Sequence, residues 1–184
     1  MEYYIKKLCH QELGSVSSYG KVNRGRYMFS SKDTSVLKML PPLSQTQKND
    51  SALLAMIPLY LNKKVYCNYV YHNDKYHGGS RNEYRIYLNS ELENNQILFK
   101  KDDIVIIRKD ELIAENENEE YSQTVYFLEL IQQHDSELYK LCENEITNSS
   151  IRGNFAIYNG EIREFEQKVN KLKSNDMVNV AIDN

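Results

Sequence analysis

Short strand-like runs of apolar, aromatic and β-branched residues, several of them alternating with polar residues, fill the chain from residue 52 onward. Alternation with a period of two is typical of strands that bury one face. Polar or turn-forming residues separate the runs, and the aromatic, β-branched start EYYIKKLCH is a further strand candidate. The other six runs are LLAMIPLY, KVYCNYVYH, EYRIYLN, DIVIIRK, QTVYFLELI and NFAIYNG. Many short strands with few helices predict a mainly β fold, a barrel or sandwich rather than an alternating β-α sheet.

Two connecting segments complete the first part of the chain. KDTSVLKML is predicted to form a short helix that Ser30 or Ser31 caps and that the following Pro41-Pro42 ends. The segment AENENEEYSQ is acidic throughout and is predicted to be the solvated tip of a hairpin.

Helical spacing appears again near the C-terminus. SELYKLCENE predicts a second short helix with Leu138, Leu141 and Cys142 on one side. EIREFEQKVNKLK predicts a helix near residues 161–173 that packs on its own domain, because fewer than three heptads are present for a coiled coil. Its apolar stripe consists of Ile162, Phe165, Val169 and Leu172. We therefore expect one domain over residues 1–145 and a C-terminal extension over 146–184, which ends in an expected linker, SNDMVNVAIDN.

Charge is distributed unevenly along the chain. Residues 1 to 88 carry 13 Lys and Arg against 6 Asp and Glu, a net +7, whereas residues 89 to 184 carry 10 against 20, a net −10. The total of −3 hides this asymmetry, which indicates a polyanionic partner for the first half.

Location and redox state follow from what the sequence lacks. It has no run of eighteen apolar residues and no apolar stretch near its start that resembles a signal peptide, so we expect a cytoplasmic protein without membrane contact. The three cysteines, Cys9, Cys67 and Cys142, are scattered without CxxC spacing, which favours reduced structural thiols.

Two basic segments carry the candidate chemistry. We call residues 14–27, GSVSSYGKVNRGRY, the first arm, with its candidate contacts at residues 18–27, and residues 75–85, KYHGGSRNEYR, the second arm. Arg, Asn and Glu side chains have the donor and acceptor geometry that matches base edges in the major groove. The candidate DNA-binding residues of the first arm are Tyr19, Lys21, Asn23, Arg24, Arg26 and Tyr27. Those of the second arm are Lys75, His77, Ser80, Arg81, Asn82, Glu83, Tyr84 and Arg85.

Periodicity separates the second arm into two sides. If the segment is extended, Arg81, Glu83 and Arg85 share one side, and Asn82 and Tyr84 share the other. An exposed ladder of ion pairs, of little value for stability, is the alternative interpretation of the first set.

The run Ser80, Arg81, Asn82, Glu83, x, Arg85, Ile86 resembles the DNA-reading arm in the effector domains of restriction endonucleases of the EcoRII and BfiI type. GRYMFSSKDTSVLKMLPP is similar to the same domain's first recognition arm and its helix, and the resemblance covers roughly residues 3–130. It implies a seven-stranded open pseudobarrel with two short helices, the fold shared with plant auxin-response-factor-type DNA-binding domains. The C-terminal helix would be an addition to it.

In that family two arms clamp the major groove. By this resemblance Arg81, Glu83 and Arg85 would read bases, Ser80 and Tyr84 would support them, and Asn82 would brace the arm. The first arm departs from the family pattern because basic residues replace small neutral ones, and Gly79 stands where a basic side chain could occur. The base preference is therefore not transferred.

Motifs for catalysis are missing from the sequence. It has no Pro-Asp to begin a nuclease metal site, no GxxxxGK[ST] phosphate loop, and no His or Cys pair at ligand spacing. We therefore expect a DNA-targeting module of a restriction system that is not itself an enzyme and needs no cofactor, with a nuclease or NTPase domain or subunit outside this chain. The alternatives are a compact Mg²⁺-dependent nuclease and a protein-interaction domain whose tyrosine-rich face binds another subunit.

Overall fold

A computed structural model of the chain describes residues 1–13, 26–61, 63–93, 97–116 and 119–174. Within these ranges eight strands form one sheet, curled into a half-barrel, and three α-helices accompany it. The predicted mainly β fold is confirmed, with one strand more than the seven expected. None of the helices in the described residues is long and apolar enough to cross a membrane.

The seven predicted runs all form strands, and the additional strand is the edge strand β2. The strands are β1 Glu2–Lys7, β2 Tyr27–Ser30, β3 Asn49–Pro58, β4 Val65–His72, β5 Glu83–Tyr87, β6 Ile104–Asn116, β7 Glu119–Ile131 and β8 Phe155–Asn159. They are ordered β2-β5-β4-β3-β7-β6-β1-β8, and all neighbours are antiparallel except the parallel pair β3 and β7. The four residues of β2 are too few to show a periodic pattern, so pairing with β5 decides their conformation.

The hairpin of β6 and β7 corrects another expectation. Both strands are 13 residues long, and their register runs to the pair Asn116 and Glu119. The ladder therefore continues into AENENEEYSQ, which we predicted to be a hairpin tip. Backbone hydrogen bonds form such a ladder whatever the polarity of the side chains, so composition was a poor guide here.

The helices are α1 Thr34–Met39, α2 Glu137–Asn148 and α3 Arg163–Ser174. The predicted cap of α1 is wrong: Asp33, not Ser30 or Ser31, accepts a hydrogen bond from the Ser35 amide at 2.9 Å. Ser30 is the last residue of β2 and lies buried, so it is not available as a cap.

Two clusters of apolar side chains lie on opposite faces of the sheet. The inner cluster fills the curl of the half-barrel, and the outer cluster lies between α2, α3 and the strands β1, β3, β6, β7 and β8. In α3 the whole predicted stripe is buried, and the Phe165 ring meets the Tyr3 ring edge-on at 5.4 Å. The expectation that this helix packs on its own domain is confirmed, and β8 also joins the sheet by pairing with β1.

Candidate nucleic-acid interface

The outward face of strands β2, β5 and β4 carries polar and aromatic side chains, and these strands contribute no described residue to the outer cluster that α2 and α3 cover. In β4 buried residues alternate with exposed or half-buried ones, so every second side chain points outward. Across the strands, Phe29 lies beside Arg85 and Arg85 beside Val70, while Glu83 lies beside His72. We name this surface the open sheet face; it consists of Phe29, Asn68, Val70, His72, Glu83, Arg85 and Tyr87.

The second arm leaves this face as the connection between β4 and β5. A 3-10 turn over Asp74–His77 begins it, and Gly78 follows with a φ of 79°, a left-handed conformation that glycine adopts without strain. Asn82 joins the two ends of the arm: its Oδ1 accepts from the Lys75 amide at 3.0 Å and its Nδ2 donates to the Tyr71 hydroxyl at 2.5 Å. These two bonds tie the start of the arm and strand β4 to Asn82.

Arg81, Glu83 and Arg85 lie on one side, as the periodicity predicts. The Arg81 Nε lies 2.8 Å from Glu83 Oε1, and both Nε and Nη2 of Arg85 donate to Glu83 Oε2. The ladder of ion pairs that we considered as an alternative is thus present. Its members differ in exposure: the side chain of Arg81 is 66% exposed, that of Arg85 24% and that of Glu83 12%.

Arg85 is fixed against the sheet. Its guanidinium carbon lies 4.3 Å from the centroid of the Tyr27 ring, a cation–π contact, and 5.9 Å from that of Phe29. Burial alone would lower the pKa of Arg85, but hydrogen bonds to Glu83 and Tyr87 raise it above the ordinary arginine value. A charged, stacked and doubly bonded arginine has little freedom, so Arg85 can hold Glu83 in place.

A cavity of about 420 Å³ opens between this ladder and the neighbouring strands. Burial and the adjacent Arg85 charge lower the pKa of His72, which favours its neutral form, and its Nε2 lies 2.9 Å from the Tyr87 hydroxyl. Besides the ladder and His72, the cavity is lined by Lys48, Asn49, Asn73 and Asp74. The sequence did not identify Lys48, Asn49 or His72 as residues of this cavity. The alternation in β4 nevertheless places His72 on the outward side.

Most of the first arm lies outside the described residues, including Tyr19, Lys21, Asn23 and Arg24. Arg26 lies at the base of the arm, where its guanidinium donates to both carboxylate oxygens of Glu93 at 2.6 and 2.7 Å and to the carbonyls of Leu13 and Phe99. These bonds give Arg26 an anchoring role at the place where the arm begins and ends. Tyr27 is buried beneath Arg85.

Glu12 makes a second set of bonds at the base of the first arm. Its side chain is fully buried; Oε1 accepts from Lys6 Nζ at 2.9 Å and from the Phe29 amide at 2.6 Å, and Oε2 accepts from the Cys9 amide at 2.7 Å. Its carbonyl accepts from the Tyr27 amide at 2.9 Å. One residue therefore ties β1 to β2 across the segment that forms the arm.

The remaining predicted residues of the second arm divide by exposure. Lys75 and Ser80 are exposed and, with Arg81, line a small cavity that Tyr71 and Tyr84 also line. Tyr84 is buried on the inner face, where its hydroxyl accepts from Gln45 Nε2 at 2.9 Å and its ring lies 4.6 Å from that of Tyr71. It supports the arm from inside the half-barrel. The side chain of His77 lies outside the described part of the chain.

The residues that the structure describes contain no group of three or more His, Cys, Asp or Glu that could hold a metal ion. Comparison with known proteins adds no identification: no protein-family model matches the chain, and no curated protein matches it either.

Proposed function

We propose that this chain binds double-stranded DNA and distinguishes its sequence through Arg81. The position of Arg81 carries the proposal. It lies at the end of a braced arm, two-thirds exposed, and an ion pair with Glu83 through Nε holds the guanidinium. An arginine held in this way can still present the two terminal nitrogens of its fork, the geometry that donates to O6 and N7 of guanine.

The neighbouring ion pairs support a division of roles. Both oxygens of Glu83 are engaged, one by Arg81 and the other by Arg85, and Arg85 is stacked on Tyr27. The family resemblance suggests all three as base readers, whereas these contacts favour Arg81 as the reader with Glu83 and Arg85 as positioning residues. A reading side chain whose orientation is fixed before binding loses less conformational entropy when the complex forms.

The spacing of the two points at which the arms join the sheet supports the major groove as the target. The first arm ends next to Leu88 at one end of the β2–β5 ladder, and the second ends next to Ser30 at the other. Four residue steps separate these ends, about 14 Å at the rise of an antiparallel strand. The major groove is about 12 Å wide, so an edge of the duplex can lie between the arms on the open sheet face.

Under this proposal the chain directs a restriction system to its DNA site, as the resemblance to effector domains implies. In this proposal a nuclease or NTPase outside the chain performs the catalysis, and this chain supplies the DNA site. Mg²⁺-dependent cleavage of plasmid by the purified chain alone would instead favour the compact nuclease. A duplex-independent complex with a second protein subunit would favour the interaction domain.

Replacing Arg81 with alanine is expected to remove base discrimination. A lost bidentate contact costs about 1 to 3 kcal/mol at the base pair that it reads, roughly a 5- to 150-fold loss of preference. Selection from a random-sequence duplex pool, followed by sequencing of the bound fraction, measures this: wild type should enrich a motif, and Arg81→Ala should lose at least one position of it.

Two further variants sharpen the test. Arg81→Lys keeps the charge but not the planar fork, so it should bind duplexes in general while losing the same motif position. Arg163→Ala removes an exposed charge of α3, a helix that contributes no residue to the cavities that Arg81 lines, and should keep the motif unchanged. Identical motifs from wild type, Arg81→Ala and Arg81→Lys would overturn the proposal.

A further inference from the structure

A second groove that Arg81 lines brings a third part of the chain to the candidate interface. Its volume is about 710 Å³, and its walls come from the start of α1, the second arm and the connection between α2 and β8. Arg81 and Glu83 line this groove as well as the cavity on the open sheet face. A base that Arg81 contacts would therefore lie next to the groove.

The charged side chains of the groove differ in whether they have ion-pair or hydrogen-bond partners. Glu83 is paired with two arginines, and the Asp33 carboxylate caps α1 by accepting from the Ser35 amide and hydroxyl. Lys32 and Arg152 are exposed and form no ion pair with a residue that the structure describes. Two cations of the groove, Lys32 and Arg152, are thus unpaired within the described structure, and Arg81 lines the same groove.

The wall that carries Arg152 is firmly attached. The Lys7 amide donates to the Asn154 carbonyl at 3.0 Å, and Lys6 pairs with Phe155 in the ladder of β1 and β8. Gly153, with a φ of 109°, turns the chain closely over the Phe155 ring, which an added Cβ would approach to 3.0 Å. A charge on a rigid support can define a register on a ligand, whereas one on a mobile tail only attracts it.

We propose that Lys32 and Arg152 bind the phosphate backbone of the same duplex whose bases Arg81 reads. This inference rests on the proposed function and adds a third DNA-contacting segment to the two arms. Phosphate is the partner that fits, because the two carboxylates of the groove, Asp33 and Glu83, are already bonded within the protein, whereas Lys32 and Arg152 are left to bind a repeating anion. Phosphate contacts position the protein and carry no sequence information.

The double variant Lys32→Ala/Arg152→Ala is expected to weaken binding to all duplexes alike. The slope of log K against log salt is negative, and each lost phosphate contact reduces its magnitude by about 0.9. The slope of the double variant should therefore be shallower than that of wild type by about 1.8. Fluorescence anisotropy with a labelled random-sequence duplex over a KCl series measures the slope. The motif selected from a random pool should stay that of wild type.

A control of equal charge change is available on α3. Arg163→Ala/Lys171→Ala removes two exposed cations that lie on the helix away from the groove, and its slope should be close to that of wild type. Far-UV circular dichroism checks that both double variants are folded.

The outcomes separate the two proposals. Specific binding by wild type with an unchanged slope in Lys32→Ala/Arg152→Ala overturns this inference and leaves the role of Arg81 standing. An equal loss in both double variants also overturns it, because the effect would then reflect net charge. No duplex binding by wild type at low salt overturns both proposals.

Discussion

Glu12→Ala is expected to lower the free energy of unfolding by about 3 to 5 kcal/mol, the cost of leaving a buried charge without its partner. Glu12 is fully buried and neutralises Lys6, which is itself only 3% exposed. The substitution also removes the acceptors of the Cys9 and Phe29 amides. Because these bonds close the base of the first arm, we expect β2 to become less ordered together with the global loss of stability.

Chemical denaturation followed by far-UV circular dichroism measures this effect in a chain without tryptophan. The matched control is Glu91→Ala, which breaks an ion pair of similar length, 2.9 Å, to Lys63; both partners are more than half exposed. Exposed pairs contribute about 0 to 1 kcal/mol, so the control should unfold nearly as wild type does. Equal stability of Glu12→Ala and Glu91→Ala would contradict the anchoring role of Glu12.

Glu166→Ala is expected to cost about 3 kcal/mol or more, because it breaks the buried polar contact between α3 and the sheet. Glu166 accepts from the Tyr3 hydroxyl at 2.5 Å and from Arg108 Nη1 at 2.7 Å, and its side chain is 8% exposed. Burial first, and then the bond to Glu166, raise the pKa of Tyr3 to about 12. Without Glu166, Arg108 retains only Asp110 as an ion-pair partner among the described residues.

The control on the same helix is Glu164→Ala. Glu164 lies in the first turn of α3 but is exposed, so its removal should change stability by no more than about 0.5 kcal/mol. Denaturant midpoints of the two variants give the comparison directly. A Glu166→Ala protein as stable as Glu164→Ala would show that the buried contacts of Glu166 do not hold α3 on the sheet, and that its apolar stripe and the ion pairs of Lys168 and Lys173 suffice.

The strand-like runs predicted every strand but β2, and the alternation is clearest in β4 and β5, which bury one face. In β4 and β5 every second residue is apolar and enclosed in the inner cluster, so the pattern is visible in the sequence. The edge strand β2 was missed because it has four residues and follows a basic segment. Its conformation depends on pairing with β5, more than fifty residues later, and no local pattern records such a pairing.

The candidate site was predictable only in part. Periodicity gave the shared side of Arg81, Glu83 and Arg85, since alternation needs no knowledge of the fold. The bond between Arg26 and Glu93 joins residues 67 positions apart, and the sequence alone made Arg26 a candidate DNA contact rather than an anchor. Lys32 and Arg152 belong to different halves of the chain and meet beside Arg81 only after β8 pairs with β1.

The central claim is that the second arm and the open sheet face contact duplex DNA. Adding a random-sequence duplex to ¹⁵N-labelled protein at low salt, and following backbone amides and the Arg81 Nε–H by NMR, tests it most directly. We predict chemical-shift changes at residues 75–85, at Phe29 and at the Arg81 side chain, with α3 unaffected. Changes confined to α2 and α3, or no change at any amide, would contradict the account.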